Sequence, residues 1–138
     1  MLKKFSYIIL AVFVAVLVSV YNSKPLFFGL NENYVVYKVD GSSCAVQTVI
    51  DTPYYPFMAR VKGESCKIER LGFDVKSFFD RYNAEIVFTE NLEGVTCYYG
   101  FSDDINFCSL LNGKLVNLHV AVAKDYVTVG SPIIFGSF

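Results

Sequence analysis

The sequence predicts an α+β domain: an antiparallel β-meander with one main amphipathic helix packed on one face, preceded by an N-terminal transmembrane or signal helix. Three observations support this prediction. The chain opens with a long apolar segment behind two lysines, and one later segment repeats its apolar residues with a helical period. Several short segments rich in Val, Tyr and Phe then follow one another through short polar turns. A chain of 138 residues leaves room for one such domain.

The N-terminal segment has the composition of an export signal. Lys3 and Lys4 precede an apolar run over residues 7–20, and the positive charges place this end in the cytoplasm. The apolar stretch over residues 5–21 is about 17 residues long, at the short end of what spans a bilayer. Residues 20–22 lack the small side chains of a cleavage site. We therefore favour an uncleaved single-pass anchor in the cell membrane over a protein that is secreted after signal cleavage.

The chain divides into a signal anchor over residues 1–24, a linker over 25–32 and an extracytoplasmic α+β domain over 33–138. From residue 22 onward it carries 10 Lys plus Arg and 13 Asp plus Glu, a net charge of −3, since Lys3 and Lys4 lie before this point. A nucleic-acid binder normally presents a basic face, because phosphate neutralisation supplies most of its affinity. The net negative charge and the expected extracytoplasmic location of the domain therefore both disfavour a nucleic-acid partner.

Two strands are predicted at residues 34–39 and 45–50, joined by a turn at 40–43, because both segments are rich in Val, Tyr and Thr. A further strand is predicted at 57–61, ended by the polar residues 62–64.

One helix is predicted between Asp74 and Asn83. Asp74 is suited to cap its N-terminus, and Asn83 to end it. Its apolar residues fall at i, i+3, i+4 and i+7 and form one stripe, namely Val75, Phe78, Phe79 and Tyr82. This stripe requires a flat apolar surface to cover.

Five consecutive strands are predicted after the helix, at residues 84–90, 95–101, 105–111, 114–123 and 126–135. Their connections are short, at 91–94, 102–104, 112–113 and 124–125, which is typical of an antiparallel meander. Asn112-Gly113 is the strongest turn among them, since both residues tolerate a positive φ.

The turn lengths predict which residues share a face, because side chains alternate along a strand. The apolar face beneath the helix is expected to hold these residues: Val95, Cys97, Tyr99, Phe101, Ile105, Phe107, Leu111, Val116, Leu118, Val120, Val127 and Val129. Cys108 falls on the opposite face, so a Cys97–Cys108 disulfide is disfavoured. The state of the four cysteines, Cys44, Cys66, Cys97 and Cys108, otherwise stays open between three pairings and buried thiols.

The opposite face is expected to gather a surface cluster, namely Tyr98, Asn106, Cys108, Asn117, His119 and Thr128. In this register His119 lies opposite Asn106, and Cys108 lies opposite Asn117. A cysteine, a histidine and an asparagine raise the alternative of a thiol hydrolase that uses Cys108 and His119. No glycine-rich turn or helix N-terminus stands beside Cys108 to bind an oxyanion. We therefore expect no catalytic residue, no cofactor and no metal site.

The C-terminal segment is expected to complete the sheet. Residues 126–129 form the last strand, and Gly130 lies opposite His119. Pro132 cannot donate to a strand ladder, which predicts an edge strand or a bend there. Ile133, Ile134 and Phe135 require cover, so the terminus is expected to be packed.

The chain from about Gly63 onward resembles the C-terminal part of the YwmB-like exported proteins of Firmicutes. The residues that carry the resemblance are Val116-Asn117-Leu118-His119-Val120-Ala121-Val122 and Gly130-Ser131-Pro132-Ile133-Ile134, together with GESC, NAEIVFTE and YYGFS. The resemblance implies a TATA-box-binding-protein-like fold, which is a curved antiparallel sheet with helical packing on one face. Fold does not fix function, so the name implies no DNA binding. The resemblance supplies no catalytic residues, and Asn117 and Gly130-Ser131-Pro132 look like positions that shape the sheet.

Together these observations predict a membrane-anchored extracytoplasmic protein of the Gram-positive cell envelope. It is expected to be a non-enzymatic interaction module that acts through an unknown envelope protein.

Overall fold

The computed structural model describes residues 2–22, 26, 27, 29, 30, 34–39, 45–50 and 61–135. The described elements are α1 (Leu2–Asn22), β1 (Tyr34–Val39), β2 (Ala45–Ile50), β3 (Val61–Glu69), α2 (Val75–Arg81), β4 (Glu85–Leu92), β5 (Val95–Phe101), β6 (Ser109–Leu111), β7 (Lys114–Val116), β8 (Leu118–Val122) and β9 (Tyr126–Ser131). The predicted turn at 40–43, Cys44 and residues 57–60 of the predicted strand lie outside the described residues.

Seven strands form one antiparallel sheet in the order β2-β1-β3-β9-β8-β5-β4, and β6 and β7 form a separate hairpin. The predicted α+β class and antiparallel sheet are thus confirmed. The uninterrupted meander after the helix is wrong, because β5 pairs with β8 and β3 pairs with β9. Both pairings join segments that are distant in sequence, and turn chemistry between neighbouring segments contains no information about them.

Helix α2 forms as predicted. The Asp74 carboxylate accepts a hydrogen bond from the Ser77 backbone N–H at 2.7 Å, which satisfies one donor of the first turn. This bond lowers the pKa of Asp74. Phe78 and Phe79 are buried, and Asn83 adopts the positive φ of 50° that ends the helix.

The core lies between α2 and one face of the sheet, called here the helix-side face. Phe78 and Phe79 pack there with Leu118 and Val120 of β8 and with the valines of β9. Val120 pairs with Val129, and Val122 pairs with Val127, as expected from the two-residue turn between these strands. This part of the predicted apolar face is confirmed.

The opposite face of the sheet, called here the hairpin-side face, is also covered. Cys97, Tyr99 and Ala121 lie on it and pack against Val116 of the hairpin and Ile134 of the C-terminal segment. The prediction that Cys97 and Tyr99 lie beneath the helix is therefore wrong. Because β5 pairs with β8 through Tyr99 and His119, the odd-numbered residues of both strands share the hairpin-side face.

The break at Asn117 explains this change of face. The predicted strand 114–123 is divided into β7 and β8, and β7 pairs with β6 while β8 pairs with β5 and β9. Within the hairpin the expected register holds, with Leu111 opposite Lys114 and Ser109 opposite Val116. Residues 105–108 form no strand, so their predicted pairing is wrong.

Strand β3 corrects another prediction. Lys62, Gly63 and Glu64 were expected to end a strand, but they lie inside β3. Glu64 is fully buried, and its carboxylate accepts a hydrogen bond from the Phe27 N–H at 2.8 Å. Phe27, within the predicted linker, is itself fully buried in the core.

The C-terminal segment is packed as far as it is described. β9 ends at Ser131 rather than at residue 135, and Ile134 is buried while the Phe135 ring lies edge-on to Tyr37 at 5.3 Å. β9 lies between β3 and β8 in the sheet, so the bend at Pro132 is confirmed and the edge strand is wrong. Residues 136–138 lie outside the described part of the chain.

Helix α1 contains the N-terminal apolar segment, and its side chains from Lys3 to Val18 are exposed around the whole circumference. Within the described residues, no helix combines the length and the sustained apolarity needed to cross a membrane.

Candidate functional site

The structure separates the predicted surface cluster. Asn106 and Cys108 are exposed in the connection before β6, whereas His119 and Thr128 are buried on the hairpin-side face. Tyr98 points to the other face and packs against the helix-side core. The six residues therefore do not form one surface.

The pairings expected of Cys108 and His119 are wrong. His119 lies opposite Tyr99 and Gly130, not opposite Asn106, and the hairpin pairing begins only at Ser109. The prediction for Gly130 is confirmed by the same register. Cys108 is exposed, and His119 is 2% exposed.

His119 belongs to a row of stacked rings that crosses three strands. Its imidazole lies 4.3 Å from the Tyr99 ring, and Tyr99 lies 4.5 Å from the Phe88 ring, with both pairs nearly parallel. The Ile134 backbone N–H donates to His119 Nδ1 at 3.2 Å. Burial lowers the pKa of His119 from 6.5 to about 4, so the ring is neutral near neutral pH. In this state it holds the C-terminal segment against the sheet.

Burial also favours the neutral forms of the ionisable side chains Tyr99 and Cys97 in and beside this row. Burial raises the pKa of the Tyr99 hydroxyl and of the Cys97 thiol. A thiol with a raised pKa is a poor nucleophile, since the thiolate is the reactive form. The raised pKa values keep Cys97 and Tyr99 protonated near neutral pH, so both contribute neutral groups to the packing of this row.

Asn117 forms a buried polar junction. Its side chain accepts from the Ser102 N–H at 2.8 Å and donates to the Ser102 and Ile105 carbonyls at 2.6 and 3.2 Å. The Ser131 hydroxyl donates to the Asn117 carbonyl at 2.7 Å. The Asn117 side chain thus satisfies backbone groups after β5 that a neighbouring strand would otherwise bond. This arrangement agrees with the expectation that Asn117 shapes the sheet.

Among the described residues no disulfide joins the cysteines; Cys66 and Cys97 are buried and Cys108 is exposed. Cys97 is buried on the hairpin-side face, whereas Cys108 lies exposed in the connection before β6. In the same part of the chain, no three His, Cys, Asp or Glu side chains converge as ligands of a metal would.

Glu64 is a buried residue that the sequence reasoning missed. A glutamate beside a glycine and a lysine has the composition of a turn, and its burial follows from the long-range pairing of β3 with β9 opposite Ser131. No local signal identifies such a residue.

Outside α1, one pair of neighbouring exposed leucines lies on the hairpin β6–β7, while Leu71 in the turn before α2 is also exposed. Leu110 and Leu115 pair with each other and are 69% and 54% exposed, because Leu111 and Val116 occupy the buried side of the hairpin. The alternation along these short strands, with Leu111 and Val116 on the opposite side, is the signal in the sequence that could have found them.

The described residues line two open grooves on the surface of the domain. One, of about 360 Å³, lies beside α2 between Ile68 and Phe73. The other, of about 460 Å³, lies between β4, the turn after β5, and Leu115 of the hairpin. We call the second one the β4 groove.

These features define a small α+β module with two covered sheet faces and an exposed hairpin. Comparison with protein-family models, with curated proteins and with solved structures finds no match.

Proposed function

We propose that this protein is a membrane-associated extracytoplasmic interaction module of the cell envelope, without enzymatic activity, that acts through an envelope protein. The observation that carries the proposal is the exposed leucine pair on the hairpin, Leu110 and Leu115. Two adjacent leucines held outward by a short hairpin form an apolar surface that is costly in water and suited to a partner.

The resemblance to the YwmB-like exported proteins supports the same proposal. Asn117 and Ser131 form the buried junction described above, in the two segments that carry the resemblance. Membership in that family is part of what we propose.

The placement at the membrane rests on helix α1. Ile8, Val12 and Leu17 are among its side chains that are about half exposed or more, and Lys3 and Lys4 precede them. Such a helix gains free energy by entering an apolar phase, at about 25 cal/mol per Å² of apolar surface removed from water. Two lysines ahead of an apolar run are typical of an N-terminus that stays in the cytoplasm, and this pattern supports the proposed export of the domain.

Fractionation of cells that express the full chain tests the placement. An anchored protein stays with membranes after carbonate washing at full length, whereas a cleaved one appears shortened in the medium. Recovery of the full-length chain in the cytosol contradicts the export proposal.

Site-specific crosslinking tests the interaction. A photo-crosslinking amino acid at Leu115 is expected to give a discrete adduct in intact cells. The same amino acid at Lys76, on the exposed side of α2, is the matched control and is expected to give none. Equal adducts at both positions, or none at Leu115, contradict the proposed surface.

A further inference from the structure

The β4 groove differs from the leucine pair in its chemistry. Val87, Phe101 and Leu115 contribute apolar surface, and Glu85 and Asp103 contribute carboxylates that are exposed at its rim. A lysine or arginine has a matching shape, since its aliphatic stem covers apolar surface while its charge reaches the rim.

The charged residues of β4 and of the turn after β5 are all acidic, whereas the hairpin contributes Lys114, which lies over Phe88 of β4. Residues 85–94 and 101–104 contain five acidic residues and no lysine or arginine, the five being Glu85, Glu90, Glu93, Asp103 and Asp104. A complementary partner is therefore cationic, because complementary potentials steer association and exclude like-charged partners.

The neighbouring position on the same face shows this chemistry within the chain itself. Lys114 of β7 lies with its Nζ 5.8 Å from the centroid of the Phe88 ring, and Asn112 donates to the Glu90 carboxylate at 3.1 Å. β4 thus already binds a lysine side chain of the same protein over one of its aromatic rings, with the Glu90 carboxylate close to the same hairpin.

Strand β4 also offers a backbone for pairing. It is the last strand of the sheet and pairs only with β5 among the described strands. A register shift between Ile86 and Phe88 ends the regular ladder, so residues 88–92 form the regular part of this edge. An added strand bonds to such an edge through its main chain, and side-chain sites beside it supply specificity.

We propose that the β4 edge and the β4 groove together bind an extended segment of a partner protein that carries a lysine or arginine. The segment pairs with residues 88–92, and its cationic side chain lies on Phe101 between Glu85 and Asp103. This inference rests on the proposed function, since it names the chemistry of the partner. A second copy of the chain is a poorer occupant, because the charged residues of β4, Glu85 and Glu90, are both acidic and two such strands would repel each other.

The test uses the purified full chain in detergent and two labelled peptides. Both alternate threonine and valine, and they differ only in a central lysine or glutamate. We expect the lysine peptide to bind at least about ten-fold more tightly by fluorescence anisotropy, and to protect amides of residues 88–92 from hydrogen exchange. A lysine peptide that is N-methylated at every residue is expected not to bind, since neither of its edges can donate to a strand.

Variants identify the charges. Glu85→Gln combined with Asp103→Asn is expected to weaken binding of the lysine peptide about five-fold, with a shallower salt dependence. Glu69→Gln combined with Asp125→Asn removes two exposed carboxylates outside the β4 groove and is expected to leave binding unchanged.

Equal affinity for both peptides, or unchanged binding by the Glu85/Asp103 variant, would overturn the inference. Protection of residues 88–92 that rises with protein concentration in the absence of peptide would assign the edge to a second copy instead. A discrete crosslink at Leu115 in cells, together with no charge selectivity here, would keep the interaction module and remove only this partner chemistry.

Discussion

Lowering the pH should destabilise the fold through one residue, His119. It is the single histidine of the chain and is 2% exposed, and burial lowers its pKa from 6.5 to about 4. The folded protein therefore binds this proton more weakly than the unfolded chain does. The free energy of unfolding is therefore highest above pH 6.5, and it decreases as the pH falls from 6.5 toward 4.

The magnitude follows from linkage. Since one pKa unit corresponds to about 1.36 kcal/mol, the difference in pKa costs about 2 kcal/mol at pH 5 and about 3 kcal/mol at pH 4. Protonation would also give Nδ1 a hydrogen, so that it could no longer accept the bond from the Ile134 N–H.

The assay compares urea unfolding of the wild type with that of His119→Gln from about pH 7 to about pH 5. The glutamine is neutral throughout and still offers an acceptor to Ile134, although it loses the ring stacking worth about 1 kcal/mol at any pH. We expect the wild type to lose about 2 kcal/mol more than the variant over this range.

NMR titration of the imidazole measures the folded pKa directly, because no other histidine contributes a signal. A pKa near 6.5, or equal pH slopes for the wild type and His119→Gln, would refute the reasoning.

Two further substitutions test the architecture. Asn117→Ala should destabilise the protein by about 3 kcal/mol, since it leaves the buried Ser102 N–H without its acceptor. The control Asn106→Ala, at an exposed position, should change the free energy of unfolding by less than about 0.5 kcal/mol. Urea unfolding measures both variants, and equal effects would contradict the proposed role of Asn117 in the buried junction. Gly100→Ala should lower the free energy of unfolding by about 3 kcal/mol, because its Cβ would lie 2.7 Å from the Glu85 carbonyl oxygen and would clash with the Phe79 ring. Thermal or urea unfolding measures this change. A decrease below about 0.5 kcal/mol would show that α2 and β5 are not packed this closely.

The candidate site was less predictable than the elements that form it. The sequence placed His119 opposite Gly130 correctly, because a two-residue turn fixes the register of the two strands that it joins. It paired Cys108 with Asn117 wrongly, because the Asn117 side chain takes over hydrogen bonds that a regular strand would have made. The β4 groove joins β4, the turn after β5 and Leu115 of the hairpin, and such long-range neighbours are not visible in the sequence.

Local chemistry by itself determined helix α2, its Asp74 cap and the Asn112-Gly113 turn. Each of these depends on residues a few positions apart, where side-chain period and turn conformation act directly. Only the tertiary structure decided that β5 pairs with β8, that β3 pairs with β9, and which face each residue of β5 occupies. These pairings depend on how much apolar surface each alternative long-range arrangement buries. A shift of one residue in a connection also reverses the face of every side chain that follows it.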